Sequence, residues 1–226
     1  MPLSNTKIAL AFLFLTVMDC MGIVCNIPLL HEIAKPLLLP FLIVLLFIGT
    51  KPGTQGRMLL FTALFFSWLG DIFLLLEDKN QLFFIFGLTC FLTTHIFYII
   101  YFLRIRSAAV SLLKKQPFFI VLVAGYGIAL VWFLFPHLKE LTIPVMVYAV
   151  VICSMLLCSV HIYFKVSKPA NAFFVFGALL FVLSDSLLAV DKFYQPFAFA
   201  GVCIMLTYCA AQYFIVTGFI KQHNND

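Results

Sequence analysis

What most limits the fold of this chain is the spacing of its polar breaks. Apolar runs near twenty residues long follow one another, separated by short segments rich in turn-forming residues. At 1.5 Å per residue, a helix of about 20 residues crosses the ~30 Å hydrocarbon core of a bilayer. Hydrocarbon offers nothing to the backbone N–H and C=O groups, so a spanning segment must pair its own, as helices and closed barrels do. Barrel strands alternate apolar and polar residues over ~10 positions, whereas these runs are longer and apolar throughout. The expected fold class is therefore all-α, a polytopic membrane helix bundle. Composition agrees: 10% of the 226 residues are charged and mean hydropathy is +1.13, against ~25% charged in a soluble domain.

Eight transmembrane helices are expected, over about residues 7–25, 35–50, 57–76, 82–103, 117–135, 141–163, 171–190 and 197–220. The breaks carry turn chemistry, as in Lys51-Pro52-Gly53, Glu77-Asp78-Lys79-Asn80 and Pro136-His137. No linker or change of composition divides the chain, so residues 1–226 read as one domain. No cleavable leader is expected, since the first run passes Asp19 without a small-residue cleavage site. Seven cysteines lie in or beside the runs with no CxxC pattern, which fits packing residues better than a disulfide framework or a metal site.

Lysine and arginine orient the bundle. Ten of the 14 fall on the amino-terminal side, the even-numbered connections and the tail: Lys7, Lys51, Arg57, Arg104, Arg106, Lys114, Lys115, Lys165, Lys168 and Lys221. The other four are Lys35, Lys79, Lys139 and Lys192. Both termini are thus expected in the cytoplasm. The net charge of +5 follows from this bias and, being spread over separate segments, calls for no nucleic-acid partner.

Ionisable groups inside the runs are where function is sought, because hydrocarbon makes them expensive. Asp71, in Ser67-Trp68-Leu69-Gly70-Asp71, has an echo 114 residues later in Asp185, in Phe181-Val182-Leu183-Ser184-Asp185. A small residue precedes each acid, and a further acid, Glu77 or Asp191, closes each run six residues on. Both runs lead outward in this topology, which sets the two acids at one depth, roughly 9 Å below the outer boundary. Two carboxylates sharing a pocket of low dielectric do not both ionise, and the one that keeps its proton can act as a general acid. The plainer alternative holds them for packing alone, through Lys35 or hydroxyl and backbone donors. The same offset maps Leu74 onto Leu188 and Gly87 onto Gly201, in line with a parallel four-plus-four repeat.

Other polar residues are less decisive. Lys35 opens the second expected span with Pro36 at the first helical position, setting a cation and a positive dipole end at phosphate depth, unless it merely snorkels. His95 lies deeper, roughly 20 Å from the outer boundary, and either reaches a deep pocket or bonds a neighbouring helix. His95 and His161 form no ligand cluster, and zinc needs three or four convergent ligands, so no metal is expected. Ser67, Ser184 and Ser186 can hydrogen-bond the acids, but no GxSxG elbow marks a serine nucleophile. Tyr208, Gln212 and Tyr213 give the last span a polar stripe. Asp19 has neither an echo nor a local motif.

Several blocks then fall in a familiar order: Lys35-Pro36…Pro40, Ser67…Gly70-Asp71, Phe86-Gly87…Phe91…His95…Tyr98, Gly177-Ala178-Leu179-Leu180-Phe181…Ser184-Asp185…Ala189 and Ala211-Gln212. Together they resemble the YhhN-like lysoplasmalogenase family over residues 35–214. The resemblance implies an eight-span fold and hydrolysis of the vinyl ether bond of lysoplasmalogens, giving a fatty aldehyde and glycerophosphoethanolamine or glycerophosphocholine. It carries no role onto Asp19.

The chemistry suits the residues. A vinyl ether hydrolyses by protonation at its β-carbon, and water captures the resulting oxocarbenium ion as a hemiacetal. A proton donor and a second carboxylate serve that sequence, as in glycoside hydrolysis, with no cofactor. Asp71 and Asp185 are the candidate catalytic residues, and Lys35, Ser67, Ser184, His95, Tyr98 and Gln212 the candidate binding or supporting ones. The expected partners are a lysophospholipid drawn from the bilayer and the membrane lipids themselves, in a bacterial inner membrane on the strength of the short loops. The alternatives are a proton- or ion-coupled small-molecule transporter, whose repeat would serve alternating access, and a non-catalytic scaffold.

Overall fold

The computed structural model describes residues 3–224, of which none is in a strand. Four long helices come first: α1 (Leu3–Val24), α2 (Pro28–Gly49), α3 (Arg57–Leu75) and α4 (Gln81–Arg104). A single turn, α5 (Leu112–Lys115), leads to α6 (Phe118–Leu138), α7 (Thr142–His161), α8 (Ala170–Ala189) and α9 (Ala200–Asn224). A 3-10 turn over Lys139–Leu141 joins α6 to α7, and a π-helical turn over Val190–Tyr194 prolongs α8. Seven helical stretches are long and apolar enough to cross a membrane, one of them the 44-residue Phe118–His161 that takes in both α6 and α7. Large apolar side chains such as Leu29, Ile128, Trp132 and Ile143 stand exposed on these helices, as a lipid-facing surface requires. The protein is a multi-pass, all-helical membrane protein.

The chain divides into two compact units. One comprises α1 to α3, α4 as far as Tyr101, and the end of α9 from His223; the other runs from Phe102 to Gln222.

In the first unit, α1 and α2 form a tight hairpin. Gly22 makes the approach possible, since a Cβ there would lie 2.8 Å from the backbone nitrogen of His31. The turn closes with the Ile27 N–H donating to the Gly22 carbonyl at 2.8 Å. The start of α2 corrects one expectation. Pro28, not Pro36, takes the first helical position, and Pro36 and Pro40 lie inside the helix. Lys35 is therefore buried two turns into α2 rather than at its positive end.

A proline inside a helix leaves the carbonyl four residues earlier without its donor. Pro40 does this to the Pro36 carbonyl, and Trp68 of α3 repairs the loss by donating its indole N–H there at 2.8 Å. The irregularity in α2 thus becomes the fastening point for α3.

In the second unit, α6 ends where Lys139 takes φ 49° and ψ −121°. Leu134, Leu138 and Val145 close the α6–α7 corner, with Ala189, Val190 and Phe193 of the α8 extension packed on them. Gly177 and Gly218 seat α8 against α9: a Cβ at Gly177 would lie 2.7 Å from Ile215, and one at Gly218 3.0 Å from Phe174.

The Trp68 repair gives a double-mutant test. Trp68→Phe is expected to destabilise the protein by roughly 0.5–1.5 kcal/mol, the net worth of one hydrogen bond. In a Pro40→Ala background residue 40 supplies the missing N–H, so the same change becomes close to neutral. Unfolding in detergent of the four proteins of the cycle measures the coupling, and equal losses in both backgrounds would contradict it.

Candidate active site

Asp185 sits on α8, half-buried, four residues before the helix gives way to its π-helical extension. Its carboxylate accepts a hydrogen bond from the hydroxyl of Tyr148 on α7, at 2.5 Å. Tyr126 of α6 donates to Ser186 at 2.7 Å, and Ser186 passes its own proton to the Val182 carbonyl at 2.6 Å. These groups line a chamber of about 50 Å³ whose other walls are apolar, among them Leu130, Val131 and Val182. One water needs ~10–15 Å³ of such space and two to four polar partners, so the chamber has room and partners for water.

The serines beside Asp185 are committed elsewhere. Ser184 donates to the Ile204 carbonyl of α9 at 3.0 Å, and a hydroxyl has one proton to give. Its place is to tie α8 to α9, while Tyr148 does what the flanking serines were expected to do.

Asp71 lies on α3 and is buried, four residues before the end of its helix. Gly70 beside it faces the ring of Phe91 on α4, where a Cβ would come within 2.8 Å. Gly87 of α4 approaches the same level from the other side, its absent Cβ 3.0 Å from Leu74 and 3.4 Å from the Gly70 carbonyl. Gly70, Gly87 and Phe91 are thus one packing unit that brings α3 and α4 together around the acid's level. Thr94 fastens the helices further down by donating to the Ala63 carbonyl at 3.0 Å. Ser67, His95 and Tyr98 are fully buried in this unit. It also holds Lys35, buried and with no ion-pair partner among the described residues. The second unit carries Ser184, Asp185 and a fully buried Gln212.

A further acid pairs where no motif pointed. Asp19 of α1 is fully buried, and His31 of α2 donates its Nδ1–H to Asp19 Oδ1 at 2.8 Å. The other oxygen, Oδ2, has no partner among the described residues. Among the described residues no three or more His, Cys, Asp or Glu side chains are placed to hold a metal ion.

The sequence pattern of the YhhN family matches residues 30–219, which contain every block quoted above and both acid motifs. The chain belongs to the YhhN family. It is 29% identical to the mouse (Mus musculus) "Lysoplasmalogenase TMEM86B" over 80% of this chain and 73% of that protein. To the Mycobacterium tuberculosis "Lysoplasmalogenase" it is 33% identical over 74% of this chain and 62% of that protein, so it spans less than two thirds of the mycobacterial relative. The bovine (Bos taurus) "Lysoplasmalogenase TMEM86A" is 31% identical over 77% and 69% respectively. No solved structure matches significantly.

Three participants escaped the sequence. Tyr148 and Tyr126 look like filler among apolar neighbours, although a buried tyrosine hydroxyl usually finds a partner. His31 and Asp19 stand six residues either side of Cys25, the first residue of the α1–α2 turn, which is a signal once the turn is placed there.

The Asp19–His31 pair makes an asymmetric prediction. Removing one partner of a buried pair costs about 3–5 kcal/mol because the other is stranded, whereas replacing both with apolar residues is close to neutral. His31→Leu alone should therefore lower stability in detergent far more than Asp19→Leu with His31→Leu. A double variant as unstable as the single one would show that the pair is not a closed unit.

Proposed function

We propose that this chain is a lysoplasmalogenase that hydrolyses the vinyl ether bond of alkenyl lysophospholipids by acid–base catalysis within the membrane. The observation that carries the reading is a carboxylate, Asp185, held by Tyr148 on a water-sized chamber inside a lipid-facing helix bundle, in a chain of this family.

The reaction divides between two acids. Asp71 gives its proton to the β-carbon of the vinyl ether, leaving an oxocarbenium ion. Asp185, facing the chamber, takes a proton from water as its oxygen adds to the cation. The hemiacetal then releases the aldehyde and the glycerol hydroxyl, with protons returning to their starting places. Water is the only co-reactant. Lys35, a buried cation free of an ion pair among the described residues, receives the phosphate of the headgroup. Ser67, His95, Tyr98, Ser184 and Gln212 hold the helices and polar groups around the acids.

The bundle in this reading is one domain of eight spans with both termini in the cytoplasm, in a bacterial inner membrane. The 44-residue stretch crosses twice: at 1.5 Å per residue it is roughly 66 Å long, about double the hydrocarbon thickness. Lys139, with its positive φ, marks the turn at the outer face. The shared offset of the acids agrees with a parallel repeat.

Two experiments test these points. Purified protein is expected to release aldehyde from lysoplasmenylethanolamine, and Asp71→Asn or Asp185→Asn to lower kcat ~10²–10⁴-fold with the fold intact. Added azide should restore turnover to Asp185→Asn alone, because only water activation can be bypassed by a better nucleophile. No aldehyde from the wild type, or full activity in both folded variants, would reject the mechanism; acid-dependent ion or proton uptake into liposomes would identify a transporter instead. For topology, single cysteines at Asn80 and Lys139 should label from outside and one at Gln116 from the cytoplasm. Labelling of Asn80→Cys only from the cytoplasm reverses the orientation, and labelling of Lys139→Cys on the same side as Gln116→Cys removes the eighth span.

A further inference from the structure

We propose that the groove between α6 and α7 is the binding site for the substrate's hydrocarbon chain, and that a neck at Gly127 passes the first carbons of that chain to Asp185. The inference rests on the lysoplasmalogenase reading and names where the alkenyl chain lies.

The groove has a volume of about 700 Å³ and runs along both helices, from Ala124 and Leu157 at one end to Phe135 and Met146 at the other. That volume falls within the ~300–1,000 Å³ of sites that take a small molecule. From Ala124 to Phe135 the helix rises roughly 16 Å, a length suited to an extended alkyl chain. No charged side chain lines it, and Ser154, its one hydroxyl, spends its proton on the Val150 carbonyl at 2.7 Å. A headgroup would find nothing there to bind; a hydrocarbon chain finds apolar walls throughout.

What distinguishes this groove from any seam filled by bulk lipid is its continuity with the acid. Gly127, Val131, Ala149 and Cys153 line both the groove and the Asp185 chamber. Gly127 and Ala149, one small residue from each helix, keep the seam open between them. A Cβ at Gly127 would lie 2.9 Å from Cys153 Sγ and nothing else within 4 Å, so the only obstacle there is a movable side-chain tip. Gly22, Gly70, Gly87 and Gly177 face neighbouring helices at similar distances, 2.7–3.0 Å, but each against several atoms, where Gly127 meets one. Gly125, one residue pair away on α6, faces nothing within 4 Å. Lysoplasmalogens carry one chain, with the scissile bond at its first carbon. A chain seated in the groove with its end in the neck therefore presents that bond to the chamber that holds Asp185, Tyr148 and room for water.

The experiment compares substrates bearing a full-length alkenyl chain with ones whose chain ends within the neck. Gly127→Leu and Ala149→Leu should each lower kcat/KM for the long chain by ~10–200-fold, the range set by mismatched methylenes in an apolar site, while the truncated substrate is far less affected. An unchanged ratio of long- to short-chain activity in both variants overturns the groove and leaves the catalytic reading standing. A wild type inactive on both substrates overturns the catalytic reading instead. A measurement on unaltered protein covers the case in which the variants do not fold. Trp132 lines the groove, so a saturated ether analogue with a brominated chain should quench its fluorescence saturably at low mole fraction, taken as the difference from Trp132→Phe. Quenching that only tracks the bulk brominated lipid overturns the proposal, as does disulfide cross-linking between copies at Ile128→Cys, which would make the seam an interface with a second copy.

Discussion

The rest of this structure depends on one constraint: a polar group inside hydrocarbon must find its partner within the protein, because the solvent supplies none. The helices answer it for the backbone. Where the backbone fails, side chains step in, and the place where they do so becomes a joint between helices. Pro40 strips the Pro36 carbonyl of its donor, and the repair by Trp68 fixes α3 to α2. Ser184 sends its proton to the Ile204 carbonyl and fixes α8 to α9. Tyr148 meets Asp185 and fixes α7 to α8. Asp19 meets His31 and fixes α1 to α2. Specific helix pairing here comes from satisfying polar groups and from glycine-mediated approach, since apolar faces gain little from leaving lipid for one another.

This explains why the sequence disclosed so much of the architecture and less of the site. Apolar run length is a one-dimensional signal, set by bilayer thickness, and it marked every long helix. The largest boundary error was at α2. Pro36 reads as a helix start because proline favours the first turn, yet Pro28 holds that place and Pro36 and Pro40 lie within the helix. In water two internal prolines argue strongly against a continuous helix. In a bundle a neighbouring indole can satisfy the carbonyl that proline leaves open, and nothing in the local sequence of α2 reveals that neighbour. The misplaced turn then concealed the Asp19–His31 pair, whose spacing about Cys25 is legible only with the turn at residues 25–27.

The acids themselves stood out because a carboxylate in such a run has no other easy explanation. Their partners did not. Tyr148 carries the same hydropathic message as any aromatic in a span, and its assignment to Asp185 requires knowing that α7 and α8 are neighbours. The residues of the family blocks, by contrast, sort into different tasks once placed. Gly70, Gly87 and Phe91 serve close packing, Ser184 serves a helix joint, and Asp185 opens on a chamber. A motif defined by residue identity therefore mixes scaffold with chemistry, and only geometry separates them.

Hydrolysis inside a bilayer sets two requirements that oppose each other. Water must reach the reacting carbon, and a hydrocarbon chain must be held beside it, although each excludes the other from its surroundings. The seam of α6 and α7 meets both by keeping them on opposite sides of a neck. Polar hydroxyls from Tyr126, Tyr148 and Ser186 gather at the chamber, while Ile128, Trp132 and Phe135 line the groove. Gly127 stands at the boundary, and its lack of a side chain is what lets the two spaces meet. A Cβ there would meet only the movable Cys153 Sγ, at 2.9 Å, whereas the glycines at the other helix contacts each face several atoms of a neighbour. That α6 instead leaves a gap beside a carboxylate is the feature least explained by packing, and the one that a membrane hydrolase with a single-chain substrate requires.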